Sequence, residues 1–272
     1  MTFSNIRGEV KLNEPMSGHT SYKIGGPADA LVTPADRDDL LALLTLIRDQ
    51  NLPFVVLGGG TNLLVRDKGF RGVVVSLRKL DAVKIVREYR SVGGMYAIVS
   101  AEAGAGLARL LNFCVENDLT GLEFAAGIPG TVGGALCMNA GTAQGEIGDV
   151  TDTVTLLTPA GDLAQLRRDE ISFGYRTANI PPDHVILDAA FILRRGERDR
   201  IRMRIKELRD TRNKRQPGGL PNAGSVFKNP LDDAAGKLIE QAGLKGLTKG
   251  RAQVSEKHAN FIVNLGGATA AD

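Results

Sequence analysis

Rings and sulfur are scarce in this chain. It has no tryptophan, four tyrosines, nine phenylalanines and two cysteines in 272 residues. Binders of single-stranded nucleic acid stack bases on aromatic side chains interleaved with cations, and no such interleaving is present. Cys114 and Cys137 have no metal-ligand spacing and fall in apolar patterns. They read as two buried thiols of a reducing compartment, which excludes a disulfide scaffold. No apolar run approaches a membrane span, and the opening MTFSNIRGEVKLNE lacks the apolar core of a leader. Charge of one sign is also missing: 34 Lys and Arg stand against 31 Asp and Glu, for a net +3. That balance does not make a general polyanion-binding surface. A soluble cytoplasmic protein without nucleic-acid or membrane partners is expected, and a monomer.

What the chain does have is glycine, 33 residues in all. Five of them (127, 130, 133, 134 and 141) fall in GIPGTVGGALCMNAG, residues 127–141, with almost no charge. Glycine admits positive φ and lets a backbone approach a ligand closely. Successive main-chain N–H groups in such a loop can hold an anion. A tight turn between core strands is the competing reading, but the density of glycine, followed by Met138 and Asn139, favours a ligand loop. A second cluster, Gly58-Gly59-Gly60-Thr61-Asn62, follows the apolar run Phe54–Leu57. A strand entering three glycines and a hydroxyl suits phosphate cradling. It is neither a Walker loop nor a GxGxxG turn opening a helix.

Along the chain, residues 1–16 read as a polar lead-in and Ala30–Val32 as a strand. Thr33 is a candidate helix cap, with Pro34 at the first helical position. Leu40, Leu43, Leu44 and Ile47 form one apolar helical face. Val73–Leu77, Val83–Val86, Tyr96–Ala101, Thr153–Thr158 and Val185–Leu193 read as strands. Leu107, Leu110, Leu111, Cys114 and Val115 trace a second helix. From Arg194 to Arg215 eleven Lys and Arg face four acids, while Ile201, Ile205 and Leu208 keep one face apolar. That is a solvated linking helix, or one whose distal end at Arg212–Arg215 meets an anionic ligand. A helix over 232–242, with Leu238 and Ile239 inward and Gly243 as cap, precedes a strand at Asn260–Asn264. Strands and helices around two glycine loops, without regular βαβ repetition, make an α+β protein. No internal repeat is present.

The segments YKIGGPAD (22–29), VLGGGTNLLV (56–65), GIPGTVGGALCMNAG (127–141), FGYRT (173–177) and NAGSVFKNP (222–230) together resemble the UDP-N-acetylenolpyruvoylglucosamine reductase family. The likeness spans nearly the whole chain in order, in the shorter form that lacks an inserted tyrosine-bearing loop. It implies an FAD-binding fold of the vanillyl-alcohol-oxidase type, built from two α+β subdomains, and a C-terminal substrate domain. The expected divisions are 1–80, 81–197 and 198–272. By the same resemblance, FAD contacts fall on Val56, Leu57, Gly58, Gly59, Gly60, Thr61, Asn62 and Leu63. They continue on Gly127, Ile128, Gly130, Thr131, Gly133 and Gly134, with Asn139 and Gly141 nearby.

The implied activity is NADPH-dependent reduction of UDP-N-acetylglucosamine enolpyruvate to UDP-N-acetylmuramate, a peptidoglycan precursor. NADPH reduces FAD, which then passes hydride to the terminal enolpyruvyl carbon. Charge develops beside the substrate carboxylate, so Arg176 matches the arginine that holds it, and Ser225 matches the proton donor. A hydroxyl is a poor acid, and Lys228 could ease a passing alkoxide. Arg215, Lys228, Asn229 and Gln253 match substrate-binding positions, while His258 reads as structural. The family also carries a glutamate near its C-terminus. This chain ends at Asp272 before any such residue, which points to a truncated chain, an incomplete sequence or a damaged gene, and to slow turnover. Thr177 and Thr142-Ala143-Gln144 depart in lesser ways, where serine and an aromatic are usual. Two other readings stay open: an oxygen-using flavin oxidase of the same fold, and a non-enzymatic nucleotide-sugar or nucleic-acid binder using residues 194–215.

Overall fold

A computed structural model describes residues 2–272. The first sheet takes strands β1 (Glu9–Pro15), β2 (Pro27–Thr33), β3 (Phe54–Leu57) and β4 (Phe70–Ser76) in the order β1-β2-β4-β3. The central pair buries Ala28, Ala30, Leu31 and Val32 on one strand and Val73, Val74 and Val75 on the other. Such continuous apolar runs belong to strands covered on both faces. β1 corrects the expected polar lead-in. It is an edge strand, and an edge tolerates Leu12 at 63% exposure beside Asn13 and Glu14.

Helix α1 (Arg37–Asp49) joins β2 to β3 and buries Leu40, Leu43 and Ile47. Its cap is Asp36, which accepts from Asp39 N at 2.9 Å. Thr33 is instead the last residue of β2, and Pro34 lies ahead of the helix. Asp39 is 2% exposed, and its carboxylate accepts the main-chain N–H groups of Arg7, Gly8 and Ala35, each at 2.8 Å. One carboxylate thus fastens the N-terminal segment to the first turn of α1. Asp39→Ala would strand three donors and is expected to cost about 3 kcal/mol in urea unfolding. Asp39→Asn, which keeps an acceptor oxygen, is expected to cost less.

The second sheet is larger. Its strands are β5 (Val83–Ser91), β6 (Gly94–Glu102), β7 (Leu119–Thr120), β10 (Thr151–Leu157), β11 (Leu163–Arg167) and β14 (Val185–Arg195). Their order is β11-β10-β14-β6-β5, with β7 also on β14. β14 lies at the centre and buries Val185, Ile186, Leu187, Ala189, Phe191 and Leu193. The edge strand β5 carries Lys84, Arg87, Glu88 and Arg90 and a register shift between Ile85 and Arg87, two devices that discourage edge pairing. Helix α2 (Leu107–Glu116) buries Leu107, Leu110, Leu111 and Cys114. Each such side chain contributes about 1.5–3 kcal/mol on burial.

The small elements that carry the candidate site lie between these strands. They are α3 (Val132–Cys137), the hairpin β8 (Gly141–Thr142) and β9 (Gly145–Glu146), α4 (Ile147–Val150), and the hairpin β12 (Phe173–Gly174) and β13 (Thr177–Ala178). After β14 come α5 (Arg198–Arg215), α6 (Ala235–Gln241) and a three-stranded sheet of β15 (Thr248–Lys249), β16 (Ala252–Val254) and β17 (Ile262–Asn264). In α5, Ile201 and Ile205 are buried, on the face the periodicity predicts. In α6 the expectation fails for Leu238, which is 45% exposed. This short helix turns Ala235 and Gly236 inward, where a Cβ on Gly236 would come 3.1 Å from the His258 ring. Leu238 is thereby rotated outward.

The chain forms two compact units. One holds residues up to Val10, Val32–Gly58 and Val75–Asp210; the other holds Lys11–Leu31, Gly59–Val74 and Thr211–Asp272. No helix among the described residues is long and apolar enough to cross a membrane.

Candidate functional site

In the first unit, residues 127–141 are only partly a loop. Gly127 (φ 77°) and Gly130 (φ 119°) adopt left-handed or extended-positive backbone that side chains rarely take. Thr131 then caps α3, its hydroxyl accepting from Gly134 N at 3.4 Å. Val132 N and Gly133 N donate to Ala105 O and Ala103 O, each at 2.9 Å. Those two donors are spent inside the fold, which narrows the expected main-chain cradle. Gly133 serves close packing instead: a Cβ there would lie 3.0 Å from that of Ala103. Ile128 N bonds Ala125 O at 2.9 Å, and Gly141 opens the β8–β9 hairpin against Glu146.

Thr131 also meets the other glycine cluster. A Cβ on Gly58 would come 2.6 Å from the Thr131 hydroxyl oxygen. Val56, Leu57 and Gly58 line a cavity of about 210 Å³ with Thr131, Gly133 and Gly134. The stretch from Ala178 through Pro181 and His184 to Ile186 lines it too. His184 Nδ1 is buried with no hydrogen-bond partner among the described residues. The cavity has the size of one ring system, and both glycine clusters contribute to its lining. Cys137 also lines it and is exposed, correcting the expected pair of buried thiols. Cys114 is buried, and burial pushes its thiol up to about 12, so it is inert. A second cleft of about 790 Å³ lies between the turn around Thr120–Phe124 and Arg194, Arg200 and Arg204 of the β14–α5 region.

Arg176 sits in the two-residue turn between β12 and β13. Its φ is +55°, unusual for a residue with a side chain, so the surroundings must hold it. Contacts around the hairpin tie it down. Asn139 Nδ2 donates to Gly174 O at 3.2 Å. Ser172 N donates to Asn179 Oδ1 at 2.6 Å. The Arg168 guanidinium lies 4.9 Å from the Phe173 ring centre, while its Nε donates to Gly148 O at 2.6 Å. Sequence patterns did not single out Asn179 or Arg168; neither belongs to a periodic face or a glycine cluster.

The second unit holds the rest of the glycine cluster and the NAGSVFKNP segment. Gly60 has φ +62°, and a Cβ there would run into the His19 carbonyl oxygen, so glycine is required. Gly59 and Asn62 are exposed, Thr61 and Leu63 half-buried. Gly224 turns at φ +79°, its N–H taken by Asn222 Oδ1 at 3.1 Å. Ser225 then bridges to Phe261. Asn260, only 4% exposed, accepts from Phe227 N and donates to Phe227 O, both at 2.9 Å, and its carbonyl takes Val226 N. Asn229 Oδ1 accepts from Ala235 N at 3.0 Å and so caps the first N–H of α6. Gln253, on β16, donates to Gly246 O at 3.3 Å. Lys228 and Arg215 are exposed. His258 packs edge-on to Phe261 and accepts Asn260 N, with burial first among the causes that lower its pKa.

Comparison with known proteins then identifies the class. Residues 28–167 match the FAD binding domain family, and residues 216–272 match the C-terminal domain of UDP-N-acetylenolpyruvoylglucosamine reductase. A BBE-like 1 variant from Physcomitrella patens, 14% identical with a TM-score of 0.51 over 71% of this chain and 43% of that one, shares the fold alone. The fold is α+β with an FAD-binding domain, and the protein is an FAD-dependent oxidoreductase.

The chain belongs to the UDP-N-acetylenolpyruvoylglucosamine reductase (MurB) family. It is 47% identical to the reductase of Syntrophus aciditrophicus over 99% of this chain and 85% of that one. The Geobacter metallireducens reductase is 46% identical, with 99% and 87% covered. Among solved structures it resembles the reductase from Thermus caldophilus, with a TM-score of 0.82, 36% identity, and 98% and 91% of the two chains covered.

Proposed function

We propose that this chain reduces UDP-N-acetylglucosamine enolpyruvate to UDP-N-acetylmuramate with NADPH, in the cytoplasm, as a monomer supplying peptidoglycan synthesis. The observation that carries the reading is family membership across 99% of the chain, with Gly58, Thr131, Gly133 and Gly134 lining one cavity. That lining fits FAD: Gly58, Gly133 and Gly134 carry no side chains to fill the space, and Val56, Leu57, Leu77 and Ile186 give it apolar surface for a flat ring. His184 Nδ1 is an orphan that a polar ring edge could satisfy. The proposed divisions are two flavin-binding subdomains, 1–80 and 81–197, and a substrate domain, 198–272.

When bound, FAD would carry two electrons from NADPH to the enolpyruvyl double bond. The residues 56–63 and 127–134, with Asn139 and Gly141 behind them, would hold it. Arg176 would bind the substrate carboxylate through its guanidinium fork and stabilise the charge that builds beside it. Ser225 Oγ would give its proton to the carbon bearing that carboxylate and recover one from solvent. Arg215, Lys228, Asn229 and Gln253 would bind the nucleotide-sugar portion, with Lys228 easing the alkoxide on Ser225.

An anaerobic titration tests this. The purified protein should be yellow, bleach with NADPH, and regain its colour on adding UDP-N-acetylglucosamine enolpyruvate. Recovery with oxygen but not with the enolpyruvate would mean an oxidase. A colourless protein that takes up no FAD would remove the reading altogether.

A further inference from the structure

Two asparagines do the same job in the two units. Asn139 is 5% exposed, with Oδ1 accepting from Gly148 N at 3.1 Å and Nδ2 donating to Gly174 O at 3.2 Å. Asn260 is 4% exposed and ties both the N–H and the carbonyl of Phe227. In each case one main-chain donor and one main-chain acceptor fix which way the amide points. Each fastened residue lies two positions from a proposed reacting side chain: Gly174 from Arg176, Phe227 from Ser225. Buried amides of this kind are retained only when satisfied, because an unpaired one costs about 1–3 kcal/mol.

We propose that Asn139 and Asn260 are the positioning residues of the reaction, each setting the turn that presents one reacting side chain. The proposal rests on the reading that Arg176 and Ser225 act on the substrate. Asn139 is further suited to its place because its φ of +41° is one that asparagine tolerates better than most residues. The φ of +55° at Arg176 belongs to the two-residue β12–β13 turn, and Asn139 fastens that turn through the Gly174 carbonyl. A turn released by one hydrogen bond shifts its side chain by a fraction of an ångström to an ångström, enough to matter at a reacting centre.

Asp at either position keeps the acceptor and sets an oxygen against the carbonyl, so Asn139→Asp and Asn260→Asp break one clamp bond each. Both are expected to slow enolpyruvate-driven recovery of flavin absorbance by about 10- to 100-fold, and in Asn260→Asp FAD content and bleaching by NADPH should be unchanged. The deciding measurement is a double-mutant cycle. Asn139→Asp should add less than about twofold in an Arg176→Met background, and Asn260→Asp likewise in Ser225→Ala, because a positioner has nothing left to position. Slowing that persists undiminished in those backgrounds overturns the proposal, as does equal damage to both half-reactions in Asn260→Asp. Asn139→Ser and Asn260→Ser serve as uncharged replacements; if these too fail to fold, the asparagines are structural and the proposal falls. If Arg176→Met and Ser225→Ala are themselves as fast as the parent, the reading of the reacting pair fails instead.

Discussion

Ser225→Ala is expected to slow the enolpyruvate half-reaction by about 10²- to 10⁴-fold, the range lost with a positioned proton donor. Bleaching by NADPH should proceed at the parent rate, since that step needs no proton from Ser225. Stopped-flow absorbance with each substrate added separately reads the two halves. The backbone around Ser225 has anchors on both sides: Gly224 makes the turn at φ +79°, and Val226 and Phe227 are tied to Asn260. Alanine should therefore leave the segment in place. Ser225→Cys, whose thiol is a stronger acid, should keep part of the rate. An alanine variant as fast as the parent would take Ser225 off the proton path.

Arg176 yields a prediction with two opposite signs. Arg176→Gly is expected to reduce turnover of the enolpyruvate by about 10²- to 10³-fold, as for other fixed groups that stabilise developing charge. Yet the same change should leave the melting temperature equal or higher, because glycine occupies φ +55° without the cost of about 1 kcal/mol that a side chain meets there. Arg176→Lys should recover little activity, because an ammonium cannot form the two-pronged contact with a carboxylate. Thermal melts beside single-turnover rates check both signs. A glycine variant that is slower and also markedly less stable would mean that the arginine braces the β12–β13 turn.

Much of the core could be read from spacing. The stripes Leu40, Leu43, Ile47 and Leu107, Leu110, Leu111, Cys114 are buried faces of α1 and α2 because a 3.6-residue period leaves little choice of side. Phe54–Leu57 has the same limits in sequence and structure, bounded by proline and glycine. Edge strands were less legible. β1 reads in sequence as a polar lead-in, β5 runs to Ser91 rather than Val86, and β11 gives no apolar signal. A strand paired on one side can be polar or charged, so its pattern resembles a loop. The cap of α1 was misplaced by three residues because Thr33, Asp36 and Asp38 are all capping types, and only the path of β2 decides among them.

The order of motifs and the glycine positions carried the family and its FAD-binding fold on their own, because glycines at Gly60, Gly130 and Gly224 answer local backbone demands that a linear pattern reveals. Tertiary structure alone decided what fastens the site. It spent the Val132 and Gly133 N–H groups on Ala105 and Ala103, set Asp39 under the N-terminal segment, and joined Asn139 to Gly174 and Asn260 to Phe227. These partners lie about thirty residues apart in the chain, and a hydrogen bond between a side chain and a distant backbone group leaves no periodicity behind it.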